Sequence, residues 1–418
     1  IAYFYFYIPF LEMDYQTHIL SNGIRLIHKH SDSPVAHCGI IISTGSRDEN
    51  PEDHGMVHFI EHLLFKGTKK RKSYNILSRM EDVGGEINAY TTKEDTCIYS
   101  TFFSNYYPRA MELISDIVFN SDFPEKEIEK EKEVIIDEIN SYRDTPSEMI
   151  FDEFEELIFR NNPIGRNILG DKEKLKAFTR DDILRFVENG YCTEQMVVSS
   201  VGNITFSRLV KQFERYFGNI PAKPAINKRI KYSGYSPIYR EMNYNTHQSH
   251  CVIGNIAYNI KNDKRLILNL LNNLLGGPGL NSRLSMSLRE RQGYVYNIDS
   301  SYTPYSDTGI ISIYFGTDKT DVSVSIKTVL AELRKLKMKP LTNAQLAKAK
   351  RQILGQIAIS LENNENLMLA MGKSLLIFNR VDTLEEIRAK YDSITAKDLL
   401  NVANDIFNRD RLSYLIYK

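Results

Sequence analysis

The sequence lacks net charge, is poor in cysteine and contains no long apolar run. Lys+Arg and Asp+Glu number 53 each in 418 residues, so no global basic field exists to hold nucleic acid. Four cysteines (Cys38, Cys97, Cys192, Cys251) lie far apart with no CxxC pair. That excludes a disulfide scaffold and a zinc knuckle, and it fits a reducing compartment. The longest apolar run is the first eleven residues, whereas a spanning helix needs about 20, so an integral membrane protein is excluded. The same stretch, IAYFYFYIPFLE, has no Lys or Arg before Arg25 and no small-residue cleavage site, which makes it a poor secretory signal. Met13 opens a more ordinary beginning. Residues 1–12 are read as an extension or remnant and left out of the fold reasoning.

What is present is an ordinary globular composition, 42% apolar and 25% charged. The length predicts two to three domains of ~150 residues, or two of about 200. Apolar patterning predicts a strand through Ile24 and Leu26 and another over 35–42, a turn at 45–50, and helices over 56–65 and 73–83. A strand over 88–103 follows, then helices over 107–118, 125–141 and 149–159, a strand over 193–202 and a helix over 205–217. Pro221, Pro224 and Pro237 mark 219–238 as a linker. Beyond it the order restarts: strand 251–257, helix 264–275, a glycine-rich turn, a helix, strands within 296–314, and more helices.

A restart implies two copies of one unit, and two short alignments in the same order support it. His58-Phe-Ile-Glu61-His62-Leu-Leu faces Asn269-Leu-Leu-Asn272-Asn273-Leu-Leu, and Glu131…Glu138 faces Ala349…Gln356. One copy kept its ionisable residues and the other lost them. The expected fold class is α+β: two homologous domains, each a mostly antiparallel sheet with helices packed on one face. The expected boundaries are 13–221 for the first, 222–240 for the linker and 241–418 for the second.

His58, Glu61 and His62 sit at i, i+3 and i+4, so one helix face carries all three. Two imidazoles one turn apart can both reach a zinc ion at ~2.0–2.1 Å. A carboxylate beside them can take a proton from an activated water. The pattern is H-x-x-E-H, the inverse of HExxH. A third ligand must come from elsewhere. Glu131 and Glu138, seven apart, share a face of one helix; Glu129 and Glu133 belong to a solvated charged face. Gly276-Gly277-Pro278-Gly279 lacks the Lys-Ser/Thr ending of a phosphate loop. His247 and His250 have no acid at matching spacing and are read as structural or exposed.

Taken together, GSRDE (45–49), HGMVHFIEHLLFKGT (54–68), GGEINAYTTKEDTCIY (84–99), the Glu131/Glu138 helix, NPIGRNILG (162–170) and SRLSMSLRERQGYVY (282–296) resemble one family. It is the zinc metallopeptidase family of pitrilysin, insulin-degrading enzyme and the mitochondrial processing peptidase, and the resemblance covers residues 13–418. It implies one zinc per chain with His58, His62 and Glu138 as ligands, Glu61 as general base and Glu131 as a support for a ligand or the water. It also implies that Arg289 and Tyr296, from the degenerate half, bind the substrate carbonyl and stabilise the oxyanion. Asn88, Ala89 and Tyr90 resemble the family's edge strand, to which a peptide adds as one more strand.

The resulting expectation is a zinc endopeptidase acting on unfolded peptides or extended segments. It would work inside a homodimeric chamber, with Arg289 and Tyr296 reaching the zinc of the partner or of the same chain. No nucleic-acid or membrane partner is expected. A bacterial cytoplasmic location is the simpler reading, and a mitochondrial matrix protein stripped of its presequence fits the same features. The alternatives are a peptide-binding subunit without catalysis and a subunit dependent on a second chain.

Overall fold

The computed structural model describes residues 15–225, 229–244 and 246–418. The reading of residues 1–12 as an extension lies outside them. The first half opens with strands β1 (Tyr15–Ile19), β2 (Arg25–His30) and β3 (Val35–Ile42), followed by helices α1 (Met56–Leu63) and α2 (Ser73–Glu81). Strands β4 (Glu86–Thr91) and β5 (Thr96–Phe103) precede a helical run: α3 (Tyr107–Phe119), α4 (Glu125–Arg143), α5 (Pro146–Ile158), α6 (Lys172–Ala177) and α7 (Arg180–Gly190). Strand β6 (Met196–Gly202) and helix α8 (Phe206–Phe217) close this half.

The second half contributes β7 (Tyr239–Met242), β8 (Ser249–Ile256), α9 (Arg265–Gly276), β9 (Val295–Pro304) and β10 (Gly309–Thr317). Helices α10 (Val322–Met338), α11 (Asn343–Glu362), α12 (Asn364–Phe378), α13 (Leu384–Ser393) and α14 (Ala396–Ile406) follow, and β11 (Ser413–Tyr417) ends it.

The sheets have orders β1-β2-β6-β3-β5-β4 and β7-β11-β8-β10-β9. Apart from the extra β1 they are the same arrangement. In each, one pair is parallel (β2 with β6, β7 with β11) and the other neighbours run antiparallel. The duplication suggested by the paired sequences therefore extends to topology, with α9 standing where α1 stands and α11 where α4 stands.

One expectation fails here. Residues 88–103 are not a single strand but part of a hairpin, β4 and β5 joined by a turn. Thr92 N–H donates to the Asp95 carbonyl at 2.8 Å, and the Thr92 hydroxyl accepts from the Glu94 and Asp95 amides. A threonine bonding backbone two and three residues on stabilises a turn, and Lys93-Glu94-Asp95 interrupts the apolar run.

Side chains alternate across a strand, and here both faces of the central strands are covered. Ile40, Ile42, Ile98, Met196 and Val198 face the first half's own helices. Ile27, Val197 and Val201 face away and are met by Leu367, Met368 and Met371 of α12, a helix of the second half. The exchange is reciprocal. Phe154 and Ile158 of α5 lie against Val252, Leu415 and Tyr417 on the far face of the second sheet. Two glycines permit the close approach: a Cβ on Gly372 would meet Ile41 Cδ1 at 2.3 Å, and one on Gly254 would meet Phe154 at 2.9 Å.

Gly372→Val forces α12 off the sheet. Overpacking of this kind costs about 1–3 kcal/mol, so the urea midpoint should fall with the slope unchanged; an unaltered midpoint would show that α12 is not seated as tightly as the distances require.

Candidate metal centre

Helix α1 is two turns long and is held by its apolar side, with Met56, Val57, Phe59, Ile60 and Leu63 all buried. Its start is built tightly. Gly55 has φ 99°, and a Cβ there would stand 2.8 Å from Gly170 Cα, so only glycine fits. The buried Glu49 carboxylate accepts the backbone N–H groups of Gly55 and Val57 at 2.9 Å each. These are donors that a helix start leaves without intrahelical partners.

The opposite face presents His58, Glu61 and His62 to α4, which supplies Glu131 and Glu138. Glu138 Oε2 lies 3.8 Å from His58 Nε2 and 3.6 Å from His62 Nε2. One potential ligand atom from each of the three residues falls within 4.8 Å of the others, and no other such group occurs among the described residues. A tetrahedral zinc ~2.0–2.1 Å from each ligand separates ligand atoms by about 3.4 Å. The two distances from Glu138 exceed that by only a few tenths of an ångström, and two imidazoles with a carboxylate are a donor set that suits zinc.

The protonation chemistry fits as well. Burial and the neighbouring His62 hold the His58 imidazole down at about 4, leaving it neutral with a lone pair to donate. Burial also disfavours charge on His62, but the Glu131 hydrogen bond and the Glu138 and Glu61 carboxylates outweigh it and raise its pKa. His62 Nδ1–H donates to Glu131 at 2.9 Å, which leaves Nε2 free toward Glu138 and fixes the ring. Glu131 is itself buried and paired with Lys66 at 2.6 Å. Its pKa is lowered: burial would raise it, and His62 and Lys66 prevail. Burial raises the Glu61 carboxyl, opposed by a 2.5 Å hydrogen bond from the Thr91 hydroxyl.

Strand β4 is the edge of its sheet. Asn88 and Ala89 line an open cavity of about 290 Å³ together with Glu61, His62, Phe65 and Leu77. Tyr90 is turned to other company, packing on Tyr99 and under Lys373. Arg289 and Tyr296 make their polar contacts within the second half. Arg289 is half-exposed in a single π-helical turn, Ser285–Glu290, with its Nε 3.9 Å from Glu290. Tyr296 is exposed on β9, its hydroxyl donating to Asp318 at 3.2 Å. His250 is buried against Tyr314, and His247 is exposed.

Three residues around the cluster were not singled out from sequence: Thr91, Lys66 and Glu49. Lys66 carried a usable signal, since it lies one helical turn beyond His62. The other two act through contacts that spacing does not show.

Residues 25–172 match the family described as insulinase, peptidase family M16, and residues 177–353 match the peptidase M16 inactive domain. YmxG of Bacillus subtilis, named as an uncharacterized zinc protease, is 32% identical over 94% of this chain and 96% of its own length. The chain belongs to peptidase family M16. The probable mitochondrial-processing peptidase subunit beta of Schizosaccharomyces pombe is 29% identical over 94% of this chain and 89% of that protein. A Helicobacter pylori protease has the same fold, with a TM-score of 0.92 at 21% identity over 97% of this chain and 100% of that one.

The second half of this M16 chain retains the frame of the metal site without its donors. Asn273 Nδ2 donates to Gln356 Oε1 at 2.7 Å where His62 faces Glu138. Asn272, in the place of Glu61, bonds the Ser300 carbonyl at 2.9 Å and accepts from its hydroxyl. Asn269, in the place of His58, donates to Tyr391 at 2.9 Å. These amides each find a neutral partner and offer no imidazole or carboxylate.

Glu131→Gln weakens the hold on His62, and loss of such a partner typically costs about 10–100-fold in metal affinity. Titration with a zinc chelator measures it; unchanged affinity would mean Glu131 does not orient the ligand. Because the raised His62 pKa lets protons compete for Nε2, zinc affinity should fall about tenfold per pH unit below that pKa. A flat affinity through that range would remove His62 from the ligand set.

Proposed function

We propose that this chain is a zinc endopeptidase with residues 13–221 as the metal-holding unit, 222–240 as linker and 241–418 as the degenerate unit. The observation that carries the reading is the convergence of His58, His62 and Glu138, with one donor atom each within 4.8 Å of the others, beside a half-buried Glu61. His58, His62 and Glu138 hold one zinc. When bound, zinc supplies Lewis-acid activation of a water and of the scissile carbonyl. Glu61 takes the proton of the attacking water and delivers it to the leaving amine. The Thr91 hydroxyl keeps that carboxylate aimed, and Glu131 keeps His62 in its tautomer. A peptide aligned on β4 through Asn88, Ala89 and Tyr90 is read mainly by its backbone, which suits extended or unfolded substrates.

Arg289 and Tyr296 stabilise the oxyanion. In one chain neither shares a polar contact with the cluster, which supports a homodimer in which each copy completes the other's site. Four buried free thiols support a reducing compartment such as the bacterial cytoplasm.

Purified protein should carry about one zinc per chain and cleave a quenched fluorescent peptide, and Glu61→Gln should keep the zinc and lose the cleavage. Zinc without cleavage would favour a partner-dependent subunit, and no zinc would overturn the ligand set. Mixing Glu61→Gln with Tyr296→Phe distinguishes the two geometries. Restored activity in the mixture, with a dimer by light scattering, is expected for completion across the interface; a mixture as inactive as its parts would place Tyr296 in the same chain's site.

A further inference from the structure

The loop 45–49 grips both halves of the catalytic frame. At one end Glu49 caps α1 immediately ahead of His58. At the other the loop lies along the β4–β5 turn: Ser46 N–H donates to the Thr92 carbonyl at 3.1 Å and Arg47 N–H to that of Lys93 at 2.9 Å. Gly45 is pressed so close that a Cβ would stand 2.5 Å from Lys93 and Glu94 backbone atoms.

The Arg47 side chain, 1% exposed, forks between the halves. Its Nη1 meets Glu94 at 2.6 Å, and its Nη2 meets Asp307 at 2.8 Å and the Ile230 carbonyl at 2.9 Å. Glu94 in return accepts from the Ser306 amide at 2.9 Å and hydroxyl at 2.6 Å. Ser306 and Asp307 form the β9–β10 turn, so the second half reaches in to pin the loop.

What the loop controls is the spacing of α1 against β4, where Glu61 meets Thr91 at 2.5 Å. A shift of about one ångström breaks that contact and moves Glu61 relative to a peptide on β4; misplacement of this size can cost about a hundredfold in rate. Arginine suits the task because its planar, pre-organised fork meets two carboxylates in a fixed geometry, whereas lysine offers a point charge on a flexible stem.

We propose that Arg47 and Asp307 are positioning residues for the reaction: the Glu94–Arg47–Asp307 bridge, centred on the buried Arg47 guanidinium, holds loop 45–49 so that Glu61 and Thr91 stay in register. The inference rests on the zinc-endopeptidase reading. It gives the degenerate half a task at the metal side of its own chain, separate from Arg289 and Tyr296.

The test uses the full-length, zinc-loaded protein with Asp307→Asn, Arg47→Lys, Thr91→Val and the double variant Asp307→Asn/Thr91→Val. Measured are kcat and KM on the quenched peptide, zinc content, and hydrogen exchange of backbone amides. The expected result for Asp307→Asn and Arg47→Lys is a kcat lower by about a hundredfold, with KM and zinc content kept and faster exchange confined to 46–57 and 92–95. The double variant should be no slower than its slower parent, because both changes break one contact. A wild-type kcat in Asp307→Asn, losses that multiply in the double variant, or unchanged exchange in the loop would each overturn the proposal. If Arg47→Lys does not fold, the near-isosteric Asp307→Asn decides alone. Wild-type protein that binds zinc but cleaves nothing would instead sink the peptidase reading, while the exchange data still report whether Asp307 holds the loop.

Discussion

Helix α1 spans eight residues, well short of the roughly 12–15 that a helix needs to persist by itself in water. Its geometry is therefore imposed from outside: an apolar face sunk into the first core, a glycine start wedged against Gly170, and a buried carboxylate on its first amides. All of this serves one contact surface, the face of α1 laid across α4. Two imidazoles and a carboxylate meet there from different helices. Little helix propensity is needed to build the site, and a good deal of tertiary packing is.

The charges in that surface form a relay in which each group is fixed by the next. Lys66 holds Glu131, Glu131 holds the His62 ring, and His62 and His58 turn Nε2 toward Glu138. A buried carboxylate is costly without partners, and Glu131 has two. Glu138 is left half-exposed, able to meet a cation from solvent. Removing one member of such a relay leaves the others buried and unpaired, a larger loss than the single contact.

The second half shows what the same frame becomes when metal binding is not required. The histidine and glutamate positions are filled by amide side chains with neutral partners, Asn273 on Gln356 and Asn272 on Ser300. Neutral pairs avoid the desolvation cost of buried ions. The two halves are joined through two devices: the exchanged helices α5 and α12, and the bridge from Arg47 to Asp307. With each sheet covered on one face by a helix of the other half, neither apolar core is complete without both.

Much of this was legible in the residues. The spacing of His58, Glu61 and His62 placed them on one helix face, since a period of 3.6 permits nothing else, and the apolar patterns located most strands, helices and the repeat. The paired segments also showed which copy kept its imidazoles and carboxylates. The hairpin at 92–95 was not legible, because a three-residue charged interruption between two apolar strands does not reveal whether the backbone reverses there. Nor could spacing reveal that Thr91 meets Glu61, that α12 lies on the first sheet, or that Arg47 finds Asp307 some 260 positions away. Local periodicity is set by covalent geometry and is written in neighbouring residues. Contacts between distant segments depend on how whole sheets and helices stack, and only the folded chain decides that.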